Sequence, residues 1–255
     1  MKISLDHLVA IFSDRNLFPR RRTPPLIKAL AVKTYVEGLS FRRVANVLSE
    51  LGFKASYEAV RDWFHTVGEL LSKTIKHRRG FIAIDETVVW NLVKRAYLWA
   101  AREIRSGDVV AIQVSRGRGI AECLRFMEIV KDSCVNKPTI YTDRGPWYDW
   151  PMAFLKLRRR RKTFGRRNSI ESWFSKLKRR IRQFNVCFPT YSPRVLESWI
   201  RVWVALSWQS PLDEISELSH FLLSRIIFLR RLEATSVLQP HWLKNQYEAF
   251  SRYLA

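Results

Sequence analysis

The sequence predicts an α/β protein in which a mixed β-sheet is flanked by helices and preceded by a small all-α domain. Apolar residues recur at helical spacing between residues 23 and 79. From residue 81, short β-branched and aromatic runs alternate with helical segments, as strands of a mixed sheet do. Gly80 marks the point where the period changes, so we place the boundary between the two domains there.

Composition indicates a polyanionic partner. The 255 residues are 47% hydrophobic, enough for a real core, and carry 45 Lys and Arg against 23 Asp and Glu, a net charge of +22. Nucleic acid is the commonest partner of such a protein, the alternative being a basic protein of ribosomal type. Three scattered cysteines (Cys123, Cys134 and Cys187) without a CxxC pair predict core or free thiols in a reducing compartment. Since no run resembles a signal peptide or a membrane span, we expect a cytoplasmic, nucleoid-associated protein.

The N-terminal part predicts a lead-in and three short helices. Residues 1–22 end in a basic arm and form the lead-in. Start and stop signals for three helices follow in chain order at Pro24, Gly38, Ser40, Gly52 and Ser56.

Three such helices are typical of a helix-turn-helix domain, here residues 23–79. Its third helix would enter the major groove of DNA with the exposed residues of its first turns, namely Ser56, Tyr57, Glu58, Arg61 and Asp62. The alternative is a helical bundle that packs on the next domain. The preceding basic arm favours contact with DNA.

The second domain, residues 80–210, predicts strands at 81–90, 96–104, 109–115 and 139–142, with a helix at 120–134 between the last two. Three strands in series favour an antiparallel meander, and the helix allows the fourth strand to join in parallel. This order is that of the ribonuclease-H-like nuclease core, an analogy at the level of the fold.

The rest of the chain is very basic and then helical. Residues 152–182 hold 13 Lys or Arg and one acid, and the run at 158–162 is typical of a solvated or disordered loop that attracts phosphate. Trp199, Trp203 and Trp208 follow at a spacing that favours packing on the sheet. Residues 211–255 predict amphipathic helices without recognisable chemistry.

Three acids stand out in this basic chain. Asp85 ends the apolar run 81–84, and Asp143 ends the strand at 139–142. Glu171 lies on the edge of the apolar stripe of a helix predicted at 168–184, above Ser175, Lys178 and Arg182. Carboxylates so placed suit Mg²⁺ or Mn²⁺, and two such ions can clamp the oxygens of a phosphoryl transfer.

Each of these acids has an alternative reading. Asp85 and Glu86 should face opposite sides of a strand, so we expect only one to line a site, and the pattern does not choose because both faces are apolar. Asp143 precedes a turn and could cap it through an Asx turn. Glu171 could belong to an ordinary surface charge pattern.

At these residues the sequence resembles the DDE transposases of prokaryotic insertion sequences. The resemblance is carried by residues 84–87 (Ile-Asp-Glu-Thr), 141–145 (Tyr-Thr-Asp-Arg-Gly), 167–180, 96–99 and the segment from 38 to 63. It covers roughly residues 24 to 205 and is closest to the short transposases with an N-terminal helix-turn-helix and an uninterrupted catalytic core.

The resemblance implies catalytic, metal-binding roles for Asp85, Asp143 and Glu171. Asp143 follows Asp85 by 58 residues, and Glu171 follows Asp143 by 28 residues, a gap that is shorter than is usual in the family. Two Mg²⁺ or Mn²⁺ ions would activate water to nick an element end, and the freed 3′-hydroxyl would attack target DNA. The partners implied are double-stranded DNA and at least a second copy of the chain. Expected DNA contacts come from Arg20, Arg21, Arg22, Ser56, Tyr57, Arg61, Arg144, Arg167, Lys178 and Arg182.

Two other functions remain open from the sequence. A non-catalytic helix-turn-helix regulator explains the charge but not the placement of the acids. A ribonuclease-H-like nuclease shares the metal site but joins no strands.

Overall fold

The computed structural model describes residues 3–14, 17, 23–71, 76–91, 94–161, 168–184 and 192–207. The helices in these ranges are α1 Leu5–Asp14, α2 Pro25–Glu37, α3 Phe41–Glu50, α4 Tyr57–Leu70, α5 Ile120–Asp132, α6 Asp149–Phe154, α7 Asn168–Arg182 and α8 Pro193–Leu206. The strands are β1 Phe81–Asn91, β2 Lys94–Glu103, β3 Val109–Ser115, β4 Thr139–Thr142 and β5 Arg158–Arg161. The predictions for Arg20 to Arg22, Arg167, Cys187, Trp208 and residues 211–255 lie outside the described residues.

The five strands form one sheet in the order β3-β2-β1-β4-β5. β1, β2 and β3 make an antiparallel meander, and α5 carries the chain back so that β4 pairs in parallel with β1. The predicted class, an α/β mixed sheet flanked by helices, is confirmed.

The core lies between the sheet and α5. Ile82 and Ile84 of β1 and Trp99 of β2 are fully buried against Phe126 and Met127 of α5. Burying a side chain of this size stabilises the fold by roughly 1.5–3 kcal/mol. Cys123 and Cys134 are buried free thiols, as expected, and burial raises the pKa of Cys123 to about 12, so this thiol is not a nucleophile.

Residues 3–14 are not part of an extended arm. They include helix α1, whose Leu8 and Phe12 are 1% and 3% exposed, and the Ile3 N–H donates to the carbonyl of Ala205 at the end of α8. The expectation of a plain lead-in was therefore wrong for this stretch. Its apolar residues Leu8 and Phe12 recur at i and i+4, the spacing of one face of a helix.

Helices α2, α3 and α4 follow the predicted start and stop signals. The Ser40 hydroxyl accepts from the Arg43 N–H and the Ser56 hydroxyl from the Ala59 N–H, both at 3.2 Å, so both serines are N-caps. Gly38 and Gly52 have φ of +134° and +84°, values that favour glycine at the end of a helix. The three helices are confirmed, and their role in DNA binding stays a prediction.

Arg180 of α7 ties the sheet domain to these helices. Arg180 is 7% exposed, and its guanidinium donates to the carbonyls of Tyr35 and Val36 at the end of α2, at 2.8 and 3.1 Å. It also lies over the ring of Trp199 on α8, 5.3 Å from the centroid. Trp199 and Trp203 are buried, as predicted, and α2, α7 and α8 meet at this arginine.

β5 corrects the prediction of a solvated loop at residues 158–161. Its four arginines pair in parallel with β4, from Thr139↔Arg158 to Thr142↔Arg161. Arginine has no strong strand preference, so the residue pattern gave no reason to expect this strand. Alternation puts Arg158 and Arg160 on one face, both exposed, and Arg159 and Arg161 on the other.

Candidate metal centre

Asp85 and Asp143 stand side by side on neighbouring parallel strands. In the β1–β4 ladder each residue pairs with the one 58 positions later, as in Phe81↔Thr139 (139 − 81 = 58). Asp143 is also 58 positions after Asp85 (143 − 85 = 58), so the same register places it beside Asp85, directly after the last residue of β4. Residues paired in a parallel ladder share a face, so both carboxylates lie on one side of the sheet.

Glu86 completes a group of three carboxylates. One carboxylate oxygen from each of Asp85, Glu86 and Asp143 lies within 4.8 Å of the other two. The expectation that only Asp85 or Glu86 could line the site was therefore wrong. Glu86 does start from the opposite face, paired with Trp99 of the core. However, β4 ends at Thr142, so no β4 residue pairs beside Glu86, and its longer side chain reaches the open end of the ladder.

Glu86 is a buried carboxylate that accepts a hydrogen bond and has charged groups close to it. Its side chain is 4% exposed, the hydroxyl of Tyr148 donates to Oε2 at 2.6 Å, and Arg118 lies 3.5 Å from Oε1. Burial, together with the neighbouring charges of Asp85 and Asp143, raises the pKa of Glu86, although Tyr148 and Arg118 oppose the shift. A divalent cation among the three carboxylates would relieve this repulsion.

The donor set fits Mg²⁺ or Mn²⁺. These cations prefer carboxylate oxygen ligands, and all three side chains offer one, whereas no described cysteine or histidine joins the group. Each member is partly buried, so a cation held there would face a site of lower polarity than bulk water.

The turn after β4 fixes Asp143. The Gly145 N–H donates to Asp143 Oδ1 at 2.8 Å, so the Asx turn foreseen as an alternative does form. A Cβ on Gly145 would lie 2.7 Å from the ring of Trp147 and 3.0 Å from Asp143 Oδ1, so only glycine fits without movement. This bond uses one lone pair of a carboxylate that has several, so the turn is compatible with a role as a ligand.

Arg159 of β5 clamps the same turn. Its Nε donates to the Thr142 hydroxyl at 2.7 Å, and its Nη2 donates to the carbonyls of Asp143 at 3.0 Å and Gly145 at 3.4 Å. It also pairs with Asp149 at the start of α6 and lies over the ring of Tyr148, 5.4 Å from the centroid. The Arg159 side chain, which is 10% exposed, thus fixes the Asp143 turn and packs against Tyr148, the residue that donates to Glu86.

Glu171 lies in the first turn of α7 and is exposed. The neighbouring Ser169 carbonyl accepts from the guanidinium of Arg102, whose partner on β1 is Ala83, two residues from Asp85. The beginning of α7 is therefore near the metal centre, but Glu171 is not in the group of three carboxylates found among the described residues. Lys178 is half-buried and Arg182 exposed further along α7.

The other predicted DNA contacts are on the surface where they are described. Ser56, Tyr57 and Arg61 are exposed at the start of α4, and the guanidinium of Arg42 lies 5.2 Å from the centre of the Tyr57 ring. Arg144 is exposed in the turn that follows Asp143. Within the described ranges, no helix has the length and hydrophobicity that a membrane span requires.

Comparison with known proteins adds two sequence relatives and a family match. Residues 21–136 match the model of the IS66 family of transposases, a stretch that includes Asp85 and Glu86 and ends before Asp143. An uncharacterized protein of Methanocaldococcus jannaschii is 34% identical over 202 residues, covering 79% of this chain and 94% of that protein. An uncharacterized protein of Aquifex aeolicus is 42% identical over 72 residues, covering 25% of this chain and 60% of that protein.

Among solved structures, the magnesium complex of the HTLV-2 integrase catalytic core domain (trimeric form) is similar, with a TM-score of 0.38 and 14% identity over 51% of this chain and 86% of that one. The simian T-cell lymphotropic virus intasome in complex with a PP2A regulatory subunit is similar too, with a TM-score of 0.38 and 14% identity over 61% of this chain and 63% of that one.

Proposed function

The chain belongs to the DDE transposase family, and on that premise we propose that it nicks DNA at the ends of an insertion sequence and joins those ends to target DNA in a metal-dependent reaction. One observation carries the proposal beyond the family: the shared register that sets Asp85 beside Asp143, with Glu86 within 4.8 Å.

The proposed chemistry needs carboxylates rather than a protein nucleophile. Asp85 and Asp143 would hold the divalent cation, and we propose two Mg²⁺ or Mn²⁺ ions in all, with Glu86 or Glu171 as a further ligand. Such ions, when bound, activate the attacking oxygen and stabilise charge on the leaving oxygen of an in-line displacement. The chain itself supplies the fixed positions: Arg159 holds the Asp143 turn and Tyr148 holds Glu86.

We further propose that α4 reads the terminal repeats of the element. Its exposed first turns carry Ser56, Tyr57 and Arg61, and a helix presented in this way fits the major groove. Arg144, Lys178 and Arg182 would contact the phosphate backbone near the metal centre. Joining two ends requires two active sites, so we propose a homodimer or larger assembly on DNA.

The test is cleavage of duplex DNA that carries the ends of the element, with Mg²⁺ or Mn²⁺ and with EDTA. We expect metal-dependent nicking and joining by the wild type and none by Asp143→Asn, which keeps the size of the side chain and removes the charge. Asp132→Asn, at an exposed position at the end of α5, is the matched control and should remain active. Specific binding without cleavage by the wild type would reject the transposase reaction in favour of a regulator. Nicking without joining would favour a nuclease.

The third carboxylate can be assigned in the same assay. Glu171→Gln and Glu86→Gln each remove one charge while retaining the hydrogen-bonding shape. Loss of nicking in Glu171→Gln supports the triad implied by the family resemblance, and loss in Glu86→Gln alone supports the group of three seen here.

A further inference from the structure

Two large aromatic side chains are exposed on α6, the short helix that follows the Asp143 turn. Trp150 is 51% exposed and Phe154 is 60% exposed. Their rings are stacked, with centroids 4.9 Å apart and an angle of 14° between the planes. Aromatic rings of this size are normally buried, and a stacked pair on the surface is an apolar patch of the kind that marks a binding site.

The residues beside this pair are strongly cationic. Residues 149–161 contain five Lys or Arg and one Asp, a net charge of +4 (5 − 1). The Arg161 side chain, on the face of β5 that contacts α6, is 59% exposed although it pairs with Asp149 at 2.6 Å. Arg158 and Arg160 are exposed on the opposite face of the same strand. A partner that fits must combine negative charge with flat apolar faces. A second copy of this chain would bring a second +4 segment to the contact, so like charges would oppose a self-interface.

A groove of about 520 Å³ runs between α6, the helix that carries the stacked pair, and β5. It is lined by Asp149, Met152, Ala153, Leu157, Arg159 and Arg161. Its volume is within the range of small-ligand sites, about 300–1,000 Å³. An apolar wall with arginines at one side suits a ligand that has both a ring and a phosphate.

The patch is also close to the metal centre along the fold. Arg159 donates to the carbonyl of Asp143 and pairs with Asp149, the residue before Trp150. A single guanidinium therefore spans the distance between the metal-site turn and the first residue of α6. A nucleic acid strand held at the carboxylates has α6 and β5 as near neighbours.

We propose that Trp150 and Phe154, with Arg161 on the face of β5 that contacts α6, form a stacking platform for unpaired nucleotides of single-stranded DNA. Unpaired bases expose the π faces that aromatic side chains bind, whereas bases in a duplex are stacked on one another, and Arg161 supplies a contact to the phosphates. The inference deepens the proposed function, since it names the unpaired nucleotide as a ligand class beside the same metal centre.

The test compares two labelled oligonucleotides by fluorescence anisotropy, with the full chain in EDTA so that nothing is cleaved. One is a short oligothymidylate and the other is a chain of abasic sites of the same length, which has the same phosphates and no bases. We expect the wild type to bind the base-bearing strand at least about 5- to 150-fold more tightly, the value of one stacked base.

Three variants separate stacking from charge. Trp150→Ala combined with Phe154→Ala should remove most of the preference for bases and leave the salt dependence unchanged, and Trp150→Tyr should retain the preference. Arg161→Ala should weaken the binding of both oligonucleotides equally and lower the slope of log affinity against log salt by about 0.7. Val135→Ala, at a valine that is 71% exposed, is the control for loss of an exposed apolar side chain and should behave as the wild type.

Equal affinity of the wild type for the two strands would overturn the proposal, and so would a preference that survives in the double variant. A double variant that loses self-association in sedimentation while its DNA binding is unchanged would overturn it in favour of a self-interface. The binding assay contains no metal and is therefore independent of the cleavage assay. A wild type that prefers the base-bearing strand but does not nick DNA in the cleavage assay would reject the proposed reaction and still support the platform.

Discussion

Replacing Arg159 by alanine removes the side chain that holds the turn of Asp143. The two shortest lost bonds run to the Thr142 hydroxyl and the Asp143 carbonyl, at 2.7 and 3.0 Å, and both come from a charged donor that is 10% exposed. Bonds of this kind contribute about 1.5–3 kcal/mol each, and the pair with half-exposed Asp149 adds little. We expect a loss of about 3–5 kcal/mol, which for a chain of this size lowers the Tm by roughly 6–20 °C.

The effect on the metal centre should be separable from the effect on stability. Arg159 acts on Asp143 through its backbone and on Glu86 through Tyr148, so its loss should weaken Mn²⁺ binding about 10- to 100-fold, the usual cost of losing a group that orients metal ligands. Isothermal titration with Mn²⁺, at a temperature where the variant is still folded, measures this. Arg159→Lys keeps the charge but loses the planar set of guanidinium donors, so its affinity for Mn²⁺ should lie between those of the wild type and Arg159→Ala.

Arg158→Ala and Arg160→Ala are matched controls, since both arginines are exposed and lie on the other face of β5. Their affinity for Mn²⁺ should stay within about twofold of the wild type, the ordinary reach of a surface charge. A folded Arg159→Ala protein that binds Mn²⁺ as the wild type does would refute the clamp, as would an equal loss in Arg158→Ala.

Three further outcomes follow from the same contacts. Glu86→Gln should raise the Tm of the metal-free protein at neutral pH, because the raised pKa of Glu86 means that the folded protein loses stability as the pH rises and this carboxyl ionises. The gain in Tm should vanish in acid, where Glu86 is protonated, and a gain that stays constant across pH would contradict the prediction. Arg180→Ala should lower the free energy of unfolding by about 3–5 kcal/mol in urea titrations, because the buried carbonyls of Tyr35 and Val36 lose a charged donor, and a loss below about 1 kcal/mol would contradict it. Arg61→Ala should lower the salt slope of duplex binding by about 0.9, and an unchanged slope would show that α4 is not on the DNA.

The sequence was sufficient to predict the sheet because its strands are separated by clear signals. The apolar run that begins at Phe81 and the turn at Gly107 bound the meander, and β3 and β4 occupy the predicted residues. The parallel pairing of β4 followed from the helix before it. Two elements were not predicted. The helical spacing of α1 extends over only a short segment, and β5 consists of arginines whose strand is imposed by pairing with β4.

The candidate site was predicted only in part, because its closeness depends on register. Asp85 and Asp143 were identified from residue type and position, but the offset of 58 that sets them side by side is a property of the β1–β4 ladder. Alternation along a strand predicted that only one of Asp85 and Glu86 lines the site, and the family resemblance favoured Asp85. The alternation holds for the Cβ of Glu86 but not for its long side chain at the open end of the ladder. The roles of Arg159 and Tyr148 were hidden within an arginine run and an aromatic cluster.

The most direct test of the shared metal site is a crystal of the full chain soaked in Mn²⁺, with anomalous scattering recorded at the manganese edge. The account predicts an anomalous peak about 2.0–2.3 Å from a carboxylate oxygen of both Asp85 and Asp143, and the same map shows whether Glu86 or Glu171 supplies the third oxygen. Manganese bound elsewhere, or no peak between the two aspartates at a concentration that saturates binding in solution, would contradict the account.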